Sequence, residues 1–500
     1  MTSLTGSPNR LIDFDRRART RPVNPSAPRL ARSAAARPGA GIVHLGLGAF
    51  FRAHGAFYIA EAIAKSGGDW GVVGLSLMNP AMRDRLAPQD FAYTAVDLGP
   101  EGEIPRVVEV VRDVLVAREN PEAALAAMAD PAIRIVSLTV TEKGYCHEPA
   151  TGRLNPDHPD IVHDLANPAA PRSAPGYLVR ALARRREAGL RPFTVLTCDN
   201  LPQNGRVVRS VVLDLAAAVD PALADWIAAE GRFPATMVDR IVPATSAADI
   251  ARVTELTGFA DAAPVVHEPF RQWVIEDDFV DGARPDLAAA GARMVKDVAA
   301  FEHMKLRMLN GAHSALSYLG YLGGHETIAE TVADPVYARF VKRLWRDEII
   351  PALTPPPGED LHAYADALFS RFANPAIRHR TWQIAMDGSQ KLPQRILGTI
   401  AENRVAGRPC PGLHLAVAAW MRYVGGVDEK DDPIDVRDPL AERLRALSDA
   451  APDGPAKVAA LLGLRQIFTP EQAAAMRDDV SAAYATLTRL GARAAIEGAA

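Results

Sequence analysis

Residues 301–313 carry the side chains best suited to chemistry. Glu302, Lys305, Asn310 and His313 sit among apolar neighbours in a proline-free segment rich in helix formers. On a regular helix with Lys305 at the origin, Glu302 falls at about 60°, His313 at about 80° and Asn310 at about 140°. One face then holds an amine, an amide, an imidazole and a carboxylate. A desolvated lysine loses its preference for the charged form and can act as a base near neutral pH. An amide can hold a developing oxyanion, and an imidazole can orient a hydroxyl. The set suits removal of a proton from an alcohol. The same pattern also describes a helix with a polar, solvated face, and Gly311 leaves room for a kink just after Asn310.

Positioning such a helix needs a larger fold, and 500 residues are enough for two or three domains. The apolar run 42–45, the turn Gly46-Leu47-Gly48 and the helical pattern 54–65 form a strand–glycine turn–helix unit. Gly46 permits the tight turn, and Gly48 lets backbone approach a pyrophosphate at a helix N-terminus. The third glycine of the usual dinucleotide fingerprint is replaced by Phe51, and tight turns use the same residues. Further strands are expected over 70–78, 91–96, 107–111, 134–140 and 192–198, with alanine-rich helices such as 121–128 between them. The second strand ends Met78-Asn79, without the acidic residue that would hold an adenosine ribose. From about Pro285 helical patterns dominate. The organisation expected is an irregular arm over 1–38, a nucleotide-binding α/β domain over 39–285 and a mostly helical domain over 286–500.

Two further polar residues fall at the ends of expected strands. Asn200 lies where ligands sit in open α/β sheets, although such loops are often only turns. Asp239 lies inside an apolar run, so it is either an ion-pair partner of Arg240 or a site residue. The segment 378–391 gathers Arg378, Arg380 and Lys391 around Trp382; it fits an anionic substrate group or a solvated helix face.

Composition excludes several classes. Fifty-six basic residues against 60 acidic ones leave a net charge of −4, with nothing to suggest nucleic acid or an anionic membrane as partner. Cys146, Cys198 and Cys410 are far apart and form no CxxC pair, which argues against a disulfide framework or a cysteine zinc site. No apolar run reaches the roughly 18 residues of a membrane span. A cytoplasmic protein is expected.

Taken together, the motifs resemble the mannitol dehydrogenase family, the polyol-specific long-chain dehydrogenases. The matching residues are Gly46-x-Gly48-Ala49-Phe50-x-Arg52, Thr141-Glu142-Lys143-Gly144-Tyr145, Cys198-Asp199-Asn200 with Asn204-Gly205, Met237-Val238-Asp239-Arg240, Glu268-Pro269-Phe270 with Trp273, and Lys305-x4-Asn310-x2-His313. They follow family order over about 41–430. The resemblance implies a Rossmann-type N-terminal dinucleotide-binding domain, a mostly α-helical C-terminal domain, NAD as cofactor and no metal. It also implies roles: Lys305 as general base, Asn200 and Asn310 on the substrate oxygen, His313 on a neighbouring hydroxyl, Glu302 gating proton exit, and Asp239 and Lys391 on the substrate chain. Gly46, Gly48, Ala49, Phe50 and Arg52 would form the cofactor turn.

The family contains polyol and sugar-acid enzymes, and the stretches around Lys143, Leu306 and 378–395 resemble the sugar-acid branch, which interconverts D-mannonate and D-fructuronate. A polyol or a tagaturonate substrate is the alternative. A carboxylate substrate needs pairing, for which Lys143, Arg378, Arg380 and Lys391 are candidates; Arg307, at about 200° from Lys305, faces away. Rival classes lack their signatures. No tyrosine is followed by lysine at the Tyr-x3-Lys spacing of short-chain dehydrogenases, and the cysteines supply no zinc ligand set. A nucleotide-binding regulator would have no use for Lys305, Asn310 and His313.

Overall fold

Short apolar runs bounded by glycine become the strands of a parallel sheet, because strands buried on both faces need no polar alternation. The computed structural model describes residues 12–13, 27–148 and 151–498, in two units, Met1–Ala299 and Ala300–Ala500. In the first unit the sheet comprises β1 (Ala40–Leu45), β2 (Gly71–Ser76), β3 (Val111–Val116), β4 (Ile135–Leu138) and β5 (Thr194–Thr197). Their order is β3-β2-β1-β4-β5, all parallel. Successive β1 residues feed opposite cores, Ile42 on one face and Val43 on the other, so helices cover both faces. Strand order reverses between β1 and β4, the place where a doubly wound sheet opens a ligand crevice at its carboxyl edge.

The first unit has two further sheets, one of four strands and one of three. Tyr93–Gly99 lies between Gly102–Val108, antiparallel, and Val265–His267, parallel. Gln272–Glu276 lies between Thr236–Asp239, antiparallel, and Arg293–Val295, parallel. The single strand expected over 107–111 is instead a crossing: the chain leaves one sheet at Val108 and joins another at Val111. Arg293–Val295 is a strand that the onset of the helical pattern conceals. Of the arm expected over 1–38, residues 27–38 are irregular and tied down by Leu30 N–H on Ala260 O (2.9 Å) and by Arg32 on the carbonyls of Asp90 and Glu109. Ile12–Asp13 pair antiparallel with Val107 and Arg106; residues 1–11 and 14–26 lie outside the described residues.

The second unit is helical. Pro411–Val424 is buried on nearly every side and packs against Ala312–Leu322 and Pro470–Leu490, as expected of a helix that is apolar all round. Three stretches, Lys305–Gly311, Leu344–Ile349 and Pro393–Leu397, widen into π-helix. The buried Glu348, in the second of these, accepts the N–H groups of Gly412 and Leu413, both at 2.8 Å, and so caps the helix Pro411–Val424. Among the described residues no helix is long and apolar enough to cross a membrane.

Candidate active site

At the carboxyl edge of the sheet, loops after β1, β4 and β5 lock together. Gly46 has φ 87°, and a Cβ there would lie 2.1 Å from Thr139 O, so only glycine fits. Thr139 Oγ1 donates to Gly46 O at 2.7 Å, and His44 reaches Ser137 and Thr139 through its two ring nitrogens. Burial pushes His44 down to about 3, so the ring is neutral. Next along the edge, Asp199 accepts Val140 N–H and Thr141 N–H, both at 3.0 Å, and the Tyr145 hydroxyl at 2.6 Å. Asn200 follows, exposed. The Asn204 side chain then ties Asp199 O to both backbone groups of Thr236, which fixes the strand ending at Asp239.

Asp239 is buried. Beside it, the Arg240 guanidinium engages Asp97 Oδ1 (2.9 Å), Glu268 O (2.9 Å) and Ala53 O (2.5 Å). Of the glycine-turn residues, Gly48 is exposed and Ala49 and Phe50 are half-buried. Arg52 instead turns inward: it is buried, donates to Ala263 O at 2.5 Å and faces the Tyr93 ring. Phe51, at the missing third glycine, stacks on His44. Lys143 lies exposed on the short turn Glu142–Tyr145.

In the second unit, Lys305, Asn310 and His313 are all buried, and Glu302 is half-buried. The solvated-face alternative therefore fails for these three residues. The angles expected of a regular helix also fail, since Lys305–Gly311 is a π segment with i→i+5 bonding. Two contacts accommodate the widening. Trp345 Nε1 donates to Met308 O at 2.8 Å, and the absence of a side chain at Gly311 admits the backbone of Arg395, whose carbonyl would lie 2.7 Å from a Cβ. Asn310 Nδ2 and His313 Nε2 are buried with no hydrogen-bond partner among the described residues. His313 stacks on Phe372 (4.3 Å between centroids) and meets the His379 ring edge at 5.1 Å. Burial, then His379, Arg371 and Arg395, hold His313 well below its ordinary value. Burial, then Lys391, Arg395 and Arg371, push His379 down to about 4. Both rings are neutral at physiological pH.

The expected cations separate. Arg378 and Arg380 are exposed, within 3.9 and 3.6 Å of Glu326 Oε1. Lys391 is half-buried, with Nζ on Met386 O (2.5 Å) and Ile384 O (3.3 Å). Arg307 does turn away, onto Glu402 at 2.5 and 2.6 Å. The sequence reading missed His379, Arg395 and Phe372 as neighbours of His313. His379 and Arg395 belong to stretches already noted, but nothing local marked them as packing on another helix.

A parallel sheet that reverses its strand order beside a glycine turn has the form of a dinucleotide-binding fold. Residues 40–289 match the mannitol dehydrogenase Rossmann domain and residues 297–488 the mannitol dehydrogenase C-terminal domain. The chain belongs to the mannitol dehydrogenase family of oxidoreductases. It is 48% identical to D-mannonate oxidoreductase of Escherichia coli K12 over 90% of this chain and 94% of that one. It is 43% identical to mannitol 2-dehydrogenase of Aspergillus fumigatus over 86% of each. The solved ternary complex of Pseudomonas fluorescens mannitol 2-dehydrogenase with NAD and D-mannitol matches with TM-score 0.84 and 37% identity, over 95% of this chain and 97% of that one.

Proposed function

We propose that this chain is an NAD(H)-dependent, metal-independent secondary-alcohol dehydrogenase that interconverts a sugar acid and its keto form, D-mannonate and D-fructuronate. The observation that carries the chemistry is the buried set Lys305, Asn310 and His313 on one helix, with Asn310 Nδ2 and His313 Nε2 lacking protein partners among the described residues. Buried polar groups are ordinarily satisfied, so two unsatisfied ones beside an amine suit a polar ligand.

In this reading Lys305 takes the alcohol proton. Asn310 and Asn200 hold the substrate oxygen, as amide donors that favour an alkoxide-like transition state. His313, neutral, binds a neighbouring hydroxyl. Glu302, half-buried, passes the proton to solvent, and Asp239 and Lys391 contact the substrate chain. NAD, when bound, supplies the hydride acceptor. The glycine turn fits it: position 46 excludes any side chain, and Gly48 is exposed beside Ala49 and Phe50. Arg52, pointing into the core, supports that turn from behind. Residues 39–285 carry the cofactor and 286–500 the catalytic helix, in a cytoplasmic enzyme.

The sugar-acid reading is supported by the likeness to the Escherichia coli mannonate enzyme and by Lys143, Lys391 and Arg380 as partners for a carboxylate. A polyol substrate is the second reading, favoured by the mannitol enzymes at 43% and 37% identity. Initial rates of NADH oxidation with D-fructuronate, D-tagaturonate and D-fructose decide between them. The highest kcat/KM is expected for D-fructuronate; a preference for D-fructose or D-tagaturonate overturns the assignment.

A further inference from the structure

Outside the groups assigned to dehydrogenation, the first unit brings three potential metal ligands together. Cys146, His158 and Asp160 each offer a ligand atom within 4.8 Å of the other two. Their spacing in sequence matches no zinc motif, and the fold creates the cluster. Cys146 ends the turn Glu142–Tyr145 in a left-handed conformation, φ 51°, which a non-glycine residue rarely adopts. Asn155 N–H then returns to Cys146 O at 2.9 Å, and His158 N–H to Asn155 O at 3.2 Å. These backbone bonds bring the buried thiol to the start of the helix Pro159–Ala166. His158 caps that helix by accepting Asp160 N–H on Nδ1 at 3.2 Å, and its Nδ1 lies 3.9 Å from Asp160 Oδ2.

We propose that Cys146, His158 and Asp160 form a site for one zinc-class divalent cation, separate from the dehydrogenation chemistry, which ties the 141–146 turn to the helix Pro159–Ala166. A thiolate, an imidazole and a carboxylate select a borderline-soft ion, whereas calcium and magnesium call for oxygen alone. Tetrahedral bonds of about 2.0–2.3 Å need ligand atoms about 3.3–3.8 Å apart, so the group must draw in by about an ångström. The side chains of His158 and Asp160 are 33% and 46% exposed, which leaves them free to close and gives the ion access, with a water in the fourth position. Binding releases the Cys146 thiol proton as the sulfur–metal bond forms, so affinity rises with pH. The consequence would be structural. Cys146 lies next to Tyr145, whose hydroxyl holds Asp199, so a bound ion braces the turn carrying Lys143.

The test is titration of untagged, chelator-stripped, full-length protein with cobalt(II), read by the near-ultraviolet thiolate-to-cobalt charge-transfer band. The band is expected, displaced by zinc and absent in Cys146→Ser; Cys198 and Cys410, both buried elsewhere, serve as internal controls. His158→Asn preserves a favourable helix cap while removing the imidazole, and should weaken cobalt binding at least about tenfold. No band in the native protein, or one that survives Cys146→Ser, overturns the site. If Cys146→Ser does not fold, unchanged cobalt affinity in His158→Asn overturns it instead.

Discussion

Along the carboxyl edge of the parallel sheet, Asp199 accepts two backbone N–H groups and a tyrosine hydroxyl, and Asn204 uses its amide on three backbone groups. Along the helix that carries Lys305, an amide nitrogen of Asn310 and a ring nitrogen of His313 are equally buried yet have no such partners among the described residues. The first arrangement is a scaffold, in which each polar group fixes a loop. The second leaves two nitrogens unsatisfied, as His54 Nδ1 and Trp273 Nε1 are in the first unit, and it is the neighbouring Lys305 that singles this pair out for the proposed chemistry. An unsatisfied buried donor costs stability, and such costs concentrate where function needs them. The π segment fits this division. It interrupts a regular ladder within the residues assigned to chemistry and is held open by Trp345 and by the backbone of Arg395.

Removing Lys305 tests the division most severely. Lys305→Ala is expected to lower kcat by about 10²–10⁴-fold, the usual contribution of a positioned base, with NADH affinity nearly unchanged by fluorescence titration. Near-normal turnover would move the chemistry off this helix.

The helical unit also contains a satisfied carboxyl whose energy depends on pH. Burial pushes Glu348 up to about 7 from an ordinary 4.5. A carboxyl with a raised folded value favours the fold fully below its unfolded value, and this contribution is lost as pH rises through the folded one. Chemical denaturation should therefore show stability falling between about pH 4.5 and 7, by about 3 kcal/mol relative to Glu348→Gln. Parallel pH profiles for the two proteins would remove Glu348 as the cause.

On the sheet side, Lys143 is exposed on the turn beside Tyr145. If it pairs with a uronate carboxylate, Lys143→Gly loses a charge-assisted contact of about 1.5–3 kcal/mol. D-fructuronate kcat/KM then falls about 10- to 100-fold while the low rate with D-fructose holds. Equal losses for both substrates would indicate a damaged turn, and no loss would leave Lys391 or the Arg378–Arg380 pair as the anchor.

Gly46→Ala probes the scaffold itself. A Cβ at 2.1 Å from Thr139 O, at φ 87°, should cost more than about 1 kcal/mol and raise the Kd for NADH. Unchanged melting temperature and cofactor affinity would show that the loop relaxes freely. The smallest expected effect is none at all: EDTA should leave turnover intact, because lysine supplies the base. Activity lost on chelation and restored by zinc, in Cys146→Ser as well as in the native protein, would replace that mechanism.

Much of the sheet was legible because its signals are local. The glycine turn after β1, the alternation of apolar runs with alanine-rich helices, and the polar residues at strand ends all follow from backbone rules that act over a few residues. The run 107–111 misled because apolar patterning cannot register that Val108 and Val111 belong to different sheets. The helical phase from Lys305 to His313 misled for a related reason. A 3.6-residue period assumes an unbroken ladder, and the π segment depends on residues 345 and 395, distant in sequence.

From sequence alone came the order of the polar groups proposed to react, the need for glycine at 46 and the α/β-then-helical organisation, since each rests on chemistry carried by adjacent residues. Tertiary structure alone decided the environment of those groups. Lys305, Asn310 and His313 are buried, His313 against the Phe372 and His379 rings, and His313 is neutral because burial, His379 and the Arg371 and Arg395 charges act on it together. Arg52 and Arg240 turn inward because carbonyls of distant segments converge on them. Desolvation and charge are sums over all neighbours in space, and only the folded chain brings those neighbours together.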